Sequence, residues 1–207
     1  MENYFMKDGK KTELTAEQAA RIEKLLCTGT ASADRTRKLA DIEAGGTFKV
    51  GDHEFIVLEQ QEGRTLALRR DILCKMAFGE NNNFAESKVR SRLAEFAAEI
   101  EAIVGEGNLL EHAVDLTSDD GLDDYGTCAA KASLLTAQMY RKYVRLIDNY
   151  KLDCWWWLAT AYSTATHGDD DWVKCVSPRG LINNGSYDGF DCGVRPFCIF
   201  VSDIFVS

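Results

Sequence analysis

The sequence predicts an α+β fold, in which a main domain of antiparallel strands, two helices and long loops follows a small N-terminal appendage. Three observations predict it. From Thr47 to Ile72, apolar and polar residues alternate in three short runs, as they do in strands. Two later segments repeat apolar residues at helical spacing. Beyond Trp157, short apolar runs alternate with turn-forming residues.

The N-terminal appendage is predicted over residues 1–27. The segments YFM and TEL predict a short strand pair around residues 7–10, and Thr15 with Gln18 forms a capping-box pattern that predicts a helix start. Residues 28–46 are small, polar and weakly periodic, which predicts a linker.

The main domain is predicted over residues 47–207, and it begins as a sheet. The segments TFKVG, HEFIVLEQ and TLALRRDI are separated by the turn signals Gly51-Asp52 and Glu62-Gly63. They predict a meander of antiparallel strands.

Two helices follow the meander. Asn83 with Glu86 predicts the start of the first helix and Gly105 its end, while Thr136 predicts the start of the second. The predicted inner faces are Val89, Leu93, Phe96, Ile100 and Val104 in the first helix, and Tyr140, Tyr143 and Ile147 in the second.

A run of three tryptophans predicts a strand after the second helix. Successive side chains of a strand point to opposite faces, so at least one of the three must face away from its neighbours. The segments WVKCVS, GLI and GVRPFCIFV predict the later strands, with turns at 183–185 and 188–189. We interpret as scaffold Trp155, Trp156, Trp157, Arg195 and Pro196.

Charge and composition exclude several classes of protein. The net charge of −9 argues against nucleic acid as a partner, because phosphate binding relies on clustered Lys and Arg. The start MENYFMKDGKK has no apolar signal core, and no apolar run approaches the roughly 20 residues that span a bilayer. We expect a cytoplasmic product without membrane insertion, and association with a virion is left open.

The seven cysteines have no paired CxxC spacing, so neither a disulfide framework nor a zinc ribbon is indicated. We expect reduced thiols that pack as small apolar residues.

Four segments carry a resemblance to a known family. They are FGENNNFAESKVRSRL (78–93), DLTSDDGLDDYG (115–126), WWWL (155–158) and GVRPFCIFVSDIFVS (193–207). Together they resemble an uncharacterised family of gut bacteria and their phages, whose members are similar to the C-type lectin fold. The resemblance runs from about Thr47 to Ser207.

The resemblance implies a C-type lectin-like domain. The same fold serves formylglycine-generating enzymes and the variable proteins of diversity-generating retroelements, in which adenine-directed mutagenesis rewrites a C-terminal stretch. Fold alone does not choose between them. Residues 159–192 contain no Glu, Gln or Met and only one Lys, and are rich in Asn, Asp, Ser, Thr, Gly and Tyr. Retroelement diversification yields this kind of set, but turn-rich loops favour it as well.

We predict that residues 159–192 form a ligand-binding surface, because rigid aromatic side chains among adaptable polar groups are typical of paratopes. Trp172 also fits a buried strand position, whereas Tyr187 is expected to be exposed. The predicted ligand-binding residues are Tyr162, Ser163, Thr164, His167, Asp169, Asp170, Asp171, Trp172, Leu181, Asn183, Asn184, Ser186, Tyr187, Asp188, Phe190 and Asp191.

Calcium binding is the metal alternative, since residues 169–171 and the segment 115–124 are rich in Asp. Neither has the spacing of a calcium-binding helix-loop-helix, and the Glu-Pro-Asn or Gln-Pro-Asp signals of sugar-binding C-type lectins are missing. We therefore predict solvated acidic loops, with no metal and no cofactor.

The formylglycine-generating reaction is the enzyme alternative. It needs reactive cysteines on the final strands near copper, where Cys192 and Cys198 lie. Their spacing departs from that of those enzymes, and Cys198 alternates like a core residue. His53, His112 and His167 lack the sequence context of a hydrolase triad. We therefore predict no catalytic residues.

The sequence thus predicts a non-enzymatic recognition protein that presents a diversified C-terminal surface to a protein or glycan ligand on a cell surface. Its specific form is a retroelement variable protein of phage or bacterial origin. A formylglycine-generating-type oxidase and a structural virion component without a variable ligand stay as alternatives, and homo-oligomerisation is left open.

Overall fold

The computed structural model describes residues 4–7, 10–13, 37–189 and 191–207. The chain divides into two compact units, Met1–Arg35 and Thr36–Ser207. Among the described residues, no helix has the length and apolar character needed to cross a membrane.

The first unit contains the predicted strand pair. Strands β1 (Tyr4–Lys7) and β2 (Lys10–Glu13) pair in antiparallel fashion, which confirms that prediction. The helix start predicted at Thr15 and Gln18 lies outside the described residues.

The second unit has a mixed α+β fold dominated by sheets. Its helices are α1 (Lys88–Val104) and α2 (Ala137–Ile147). Its strands are β3 (Arg37–Lys38), β4 (Thr47–Val50), β5 (His53–Gln61), β6 (Arg64–Arg69), β7 (Cys74–Met76), β8 (Leu109–Leu110), β9 (His112–Asp115), β10 (Thr127–Ala130), β11 (Ala132–Ser133), β12 (Trp156–Ala161), β13 (Trp172–Val176), β14 (Ile182–Ser186), β15 (Cys192–Val194), β16 (Phe197–Val201) and β17 (Phe205–Val206).

Two larger sheets form the body of this unit. The six-stranded sheet has the order β11-β16-β6-β5-β4, with β8 also paired to β16, and it contains the predicted meander β4-β5-β6. The five-stranded sheet has the order β14-β13-β12-β15-β7, in which β12 and β15 run parallel. Two small sheets pair β9 with β10 and β3 with β17.

Both predicted helices are present. Helix α1 begins later than predicted, because Ser87 caps it by accepting a hydrogen bond from the backbone N–H of Arg90, whereas Asn83 caps a separate 3-10 turn at Phe84–Glu86. Gly105, with a φ of 96°, ends α1 as predicted. Thr136 caps α2 as predicted.

The tryptophans lie on opposite faces of the five-stranded sheet. Trp157 packs with Phe78 in one core, and Trp156 packs with Tyr140 of α2 in a second core. The Trp157 indole N–H also donates to the Met76 carbonyl at 2.9 Å. The alternation expected for consecutive strand residues is therefore present, and both tryptophans are buried.

Arg195 is a buried part of this scaffold. Its side chain is almost fully enclosed, its Nε donates to the Arg69 carbonyl at 2.9 Å, and its guanidinium lies 5.1 Å from the Trp156 ring centre. Burial lowers the pKa of Arg195 to about 10. The segment GVRPFCIFV does not form one strand, because Pro196, which has no N–H, lies between β15 and β16.

The structure differs from the predicted linker over 28–46. Residues from Arg37 onward belong to the folded unit, where Leu39 and Ile42 are buried in the core. Backbone hydrogen bonds from Gly45 to Val57 and from Val57 to Gly46 hold this segment against β5. Two apolar residues in a polar segment are too few to produce a periodic pattern, so the sequence does not reveal that this segment is folded.

The predicted strand GLI and the turn predicted at 183–185 are also displaced. Strand β14 runs from Ile182 to Ser186 and contains both Asn183 and Asn184. Gly185 lies within it because Trp157 occupies the adjacent space: a Cβ at Gly185 would come within 2.9 Å of the indole ring. The glycine therefore marks a close packing contact and not a turn.

Candidate functional site

Ten of the predicted ligand-binding residues are exposed, three are half-buried and two are buried. The exposed residues are Tyr162, His167, Asp170, Asp171, Trp172, Leu181, Asn183, Asn184, Asp188 and Asp191. The half-buried residues are Asp169, Ser186 and Tyr187. Phe190 lies outside the described residues.

Ser163 and Thr164 are buried, which does not favour the predicted direct contact of their side chains with a ligand. The Ser163 hydroxyl donates to Asp120 at 2.6 Å, and the Thr164 hydroxyl donates to Asp124. Both side chains therefore fasten the loop after β12 to the segment 115–126. Their role is support, because their hydroxyl groups face the protein.

Trp172 is more exposed than its strand position favours, and Tyr187 is less exposed than expected. Trp172 is 42% exposed, so its interpretation as a core residue is wrong. Tyr187 is half-buried and packs against the core, while its carbonyl accepts a hydrogen bond from the backbone N–H of Phe78. Tyr187 is therefore only partly exposed, because the chain at the end of β14 lies beside the segment that follows β7.

The exposed aromatic residues stand at one end of the five-stranded sheet. Trp172 and Lys174 alternate along β13, and their cross-strand partners on β14 are Ser186 and Asn184. Directly opposed residues of an antiparallel pair share a face. Tyr162, which follows β12, lies over the same face, with its ring centre 5.5 Å from the Lys174 Nζ. We refer to Tyr162, Trp172, Asn184 and Ser186, with Lys174 beneath them, as the open face.

Charge is placed beneath the aromatic residues of the open face. The Lys174 side chain is largely buried, and its Nζ lies 3.0 Å from an Asp119 carboxylate oxygen, while Arg141 of α2 donates to the other oxygen at 2.9 Å. Burial raises the pKa of Asp119, but the hydrogen bonds from Arg141 and Lys174 outweigh it, so that the pKa is lowered overall. The cation under Tyr162 is therefore held in place and compensated.

One buried amide fixes the backbone at both aromatic residues. The Asn82 side chain is fully enclosed, and its Nδ2 donates to the carbonyls of Ser163 at 3.0 Å and Trp172 at 3.1 Å. Its Oδ1 accepts a hydrogen bond from the Tyr125 hydroxyl at 2.7 Å. The Trp172 carbonyl also accepts the backbone N–H of Tyr162 at 2.9 Å. Hydrogen bonds from the buried Asn82 side chain thus hold the backbone that carries the open face.

Asp120 is the second anchor of this region. Its carboxylate accepts hydrogen bonds from the hydroxyls of Ser118 and Ser163 and lies 2.9 Å from the Nδ1 of His167. These hydrogen bonds, that of Ser118 first, lower the pKa of Asp120 far below its ordinary value. Ser163 donates to the carboxylate and not to His167, so these residues do not form a Ser-His-Asp relay.

Four acidic residues of 115–124 therefore serve as hydrogen-bond acceptors within the protein: Asp115, Asp119, Asp120 and Asp124. Among the described residues, no three His, Cys, Asp or Glu side chains are grouped as a metal site requires.

The two cysteines of the oxidase alternative belong to different sheets. Cys192 lies in β15 of the five-stranded sheet and hydrogen-bonds with Cys175, whereas Cys198 lies in β16 of the six-stranded sheet. The hydrogen bond with Cys175, together with burial, raises the pKa of Cys192, and burial raises the pKa of Cys198. Both effects disfavour the thiolate form that a nucleophile or copper ligand needs.

A groove of about 500 Å³ lies beside α1, away from the predicted residues. Its walls include Ala94, Ala98 and Ala130, with Arg90 and Lys131 at its edge. The Lys131 Nζ is paired with the Glu101 carboxylate at 2.6 Å. The lining also contains further Glu and Ser side chains, so the groove offers polar as well as apolar groups.

The supporting residues Asn82, Asp119 and Lys174 are not among the residues predicted from the sequence to bind ligand. The period-two alternation of β13 places Lys174 on the same face as Trp172, and that signal was available in the sequence. The function of Asn82 depends on two carbonyls more than 80 positions along the chain, which no local pattern reports.

Comparison of the chain with protein-family models, with curated proteins and with solved structures finds no match.

Proposed function

We propose that this chain is a ligand-recognition protein and that the open face contacts the ligand. The observation that carries the proposal is the exposure of Tyr162 and Trp172, 39% and 42% respectively, side by side at the sheet end that α2 leaves uncovered. Large aromatic side chains on a fixed backbone give contact area at low entropic cost. Exposed aromatic anchors of this kind supply much of the binding energy in known interfaces.

The surroundings of the two aromatic residues suit recognition. Asn184 is exposed on the same face and supplies an amide donor and acceptor. The backbone contacts made by Asn82 pre-organise the surface, which reduces the ordering cost of binding.

We further propose that the fold is of the C-type lectin type and that the chain is a variable protein of a diversity-generating retroelement. Its support is the separation of outer from inner positions. Along β13 and β14, Trp172 and Asn184 face outward, whereas Val173, Cys175 and Gly185 pack inward. Outward residues can change without disturbing the core.

The diversification proposal is tested in the surrounding DNA. A near-copy of the segment that encodes residues 159–197 is expected beside a reverse transcriptase, with mismatches only where the copy has adenine. A locus without such a copy would remove the retroelement mechanism and leave the recognition proposal in place.

The recognition proposal is tested on intact cells. Fluorescently labelled chain is titrated onto a panel of gut bacteria, and binding is measured by flow cytometry. Trp172→Ala and Tyr162→Ala should each weaken binding by about tenfold or more. Phe205→Ala is the matched control, because it removes a 52% exposed aromatic side chain from β17. Equal binding by all four proteins would refute the proposal.

The same titration identifies the class of ligand. Protease treatment of the cells abolishes binding to a surface protein, and periodate oxidation abolishes binding to a surface glycan. Each treatment is compared with untreated cells of the same strain.

A further inference from the structure

Strand β14 has one edge that no described strand covers. It pairs with β13 alone and forms the end of the five-stranded sheet. Residues Ile182–Ser186 contain neither a charge nor a proline, and their register with β13 has no bulge. Charges, prolines, bulges or a covering segment usually protect a sheet edge from pairing with another strand, and β14 itself has none of the first three.

The other end strands of the two larger sheets are protected. At β4, the Lys49 N–H donates to the Ser207 carbonyl at 2.7 Å, so the end of the chain covers that edge. Strand β7 has three residues and carries Lys75, and β11 has only two residues. Strand β14, with five residues, is the longest of these four end strands. Among the described residues it has no protecting feature.

Two backbone hydrogen bonds show which groups of β14 point outward. The Tyr187 N–H donates to the Asp171 carbonyl at 3.1 Å, and the Ser177 N–H donates to the Leu181 carbonyl at 2.9 Å. These contacts lie at the two ends of the β13–β14 pair and fix the positions of its hydrogen-bonded residues. Since such pairs recur at every second residue, the odd-numbered residues of β14 bond to β13.

The even-numbered residues of β14 consequently direct their backbone groups away from β13. These are Ile182, Asn184 and Ser186. Each carries one N–H donor and one C=O acceptor at the free edge. A further antiparallel strand could pair with all three.

We propose that a second copy of this chain pairs with β14 and forms a two-fold dimer across this edge. With the axis at Asn184, that residue faces its own equivalent, and Ile182 faces Ser186 of the second copy. The outward groups of both strands then oppose one another in the antiparallel register.

The edge is self-complementary in this register. Leu181, which is 60% exposed, comes opposite Tyr187 of the second copy, and the two-fold axis repeats this apolar contact. The turn that carries Arg179 comes beside Asp188 of the second copy, which places opposite charges near each other at both ends. Asn184 brings no charge to the axis.

The dimer would bring two ligand-binding surfaces together. This consequence rests on the proposed function, whereas the pairing of the strands does not depend on it. A two-fold axis normal to the sheet places both open faces on the same side of one continuous sheet. Two weak contacts with one cell surface then act together, because the second binding event is intramolecular.

The test uses the purified full chain and needs no ligand. Light scattering after size exclusion, from about 1 µM to about 1 mM, should give twice the mass of the chain at high concentration. Asn184→Lys and Asn184→Asp should each raise the dimer dissociation constant by about tenfold or more, because each places like charges opposite each other on the axis. An equimolar mixture of the two variants should form a dimer again, because Lys then faces Asp.

Asn149→Lys is the matched control, since Asn149 is exposed in the turn after α2, and it should leave the dimer unchanged. A wild-type chain that is monomeric at every concentration would overturn the pairing, as would a dimer that both Asn184 variants leave intact. A wild-type chain that binds cells but is monomeric at every concentration would overturn the dimer alone. A wild-type chain that forms the dimer but binds no cell would overturn the recognition function alone.

Discussion

One face of the five-stranded sheet has a covered half and an open half, and the same strands build both. On β13, Val176 and Trp172 point to the same face, but Val176 is 1% exposed and Trp172 is 42% exposed. The difference comes from what lies above them. Tyr140 of α2 packs over Trp156 and closes one half, whereas at the other half Arg141 of α2 donates to Asp119 and Trp172 stays exposed. A single pair of strands thus provides stability at one end and a displayed surface at the other.

The largest expected effect is in the covered half. Trp156→Ala removes a ring that contacts Tyr140 at 5.5 Å and Arg195 at 5.1 Å between centres, and it leaves the buried guanidinium without its stacking partner. We expect a loss of about 3–5 kcal/mol in the free energy of unfolding. Urea denaturation followed by circular dichroism measures it. A loss below about 1 kcal/mol would mean that this half is not closed.

The second effect marks the boundary between inner and outer positions on β14. Gly185→Ala forces a methyl group against the Trp157 ring and should cost about 1–3 kcal/mol, because the core there has no space. Asn184→Ala, one position away and exposed, is the control and should be nearly neutral. Equal losses for the two variants would show that the strand does not separate an inner from an outer side. The same denaturation measurement applies.

The elements that the sequence predicted well are those with local signals. The helix face of Tyr140, Tyr143 and Ile147 follows a 3.6-residue period, and Thr136 supplies its cap within one turn. These patterns depend on residues that are neighbours in the chain, so the sequence alone reports them.

The candidate site was predicted less well because exposure there depends on distant partners. The sequence predicts surface hydroxyls at Ser163 and Thr164. Both hydroxyls instead donate to carboxylates about 40 positions earlier in the chain, those of Asp120 and Asp124. Trp172 has the same strand pattern as a core residue, yet it lies away from the part of the sheet that Tyr140 covers. A local pattern gives the alternation of a strand but not which end a helix will cover.

A third prediction concerns the carboxylate of Asp120, which anchors the loop after β12. The pKa of Asp120 is lowered in the folded chain by hydrogen bonds from Ser118, Ser163 and His167. Its contribution to stability is therefore complete at pH values above its unfolded pKa of about 3.9 and is lost as the pH falls toward the folded value. Asp120→Asn should lower the melting temperature most near neutral pH, and the difference from wild type should shrink below about pH 4.

Thermal melts across that pH range, followed by circular dichroism, measure this difference. Asp191→Asn is the control, because Asp191 is exposed beyond β14. A difference between Asp120→Asn and wild type that stays constant with pH would contradict the role of the carboxylate as an anchor.

The smallest expected effect on stability is in the open half. Trp172→Ala removes the same side chain as Trp156→Ala, but from a position where one side of the ring faces water. We expect about 1 kcal/mol or less, because no enclosed cavity is created. The same urea denaturation measures both variants. Because both replace Trp with Ala, the comparison isolates the effect of burial at the two positions. A loss at Trp172 as large as that at Trp156 would place Trp172 in the core, and the open face would then lack the exposed aromatic residue on which ligand recognition depends.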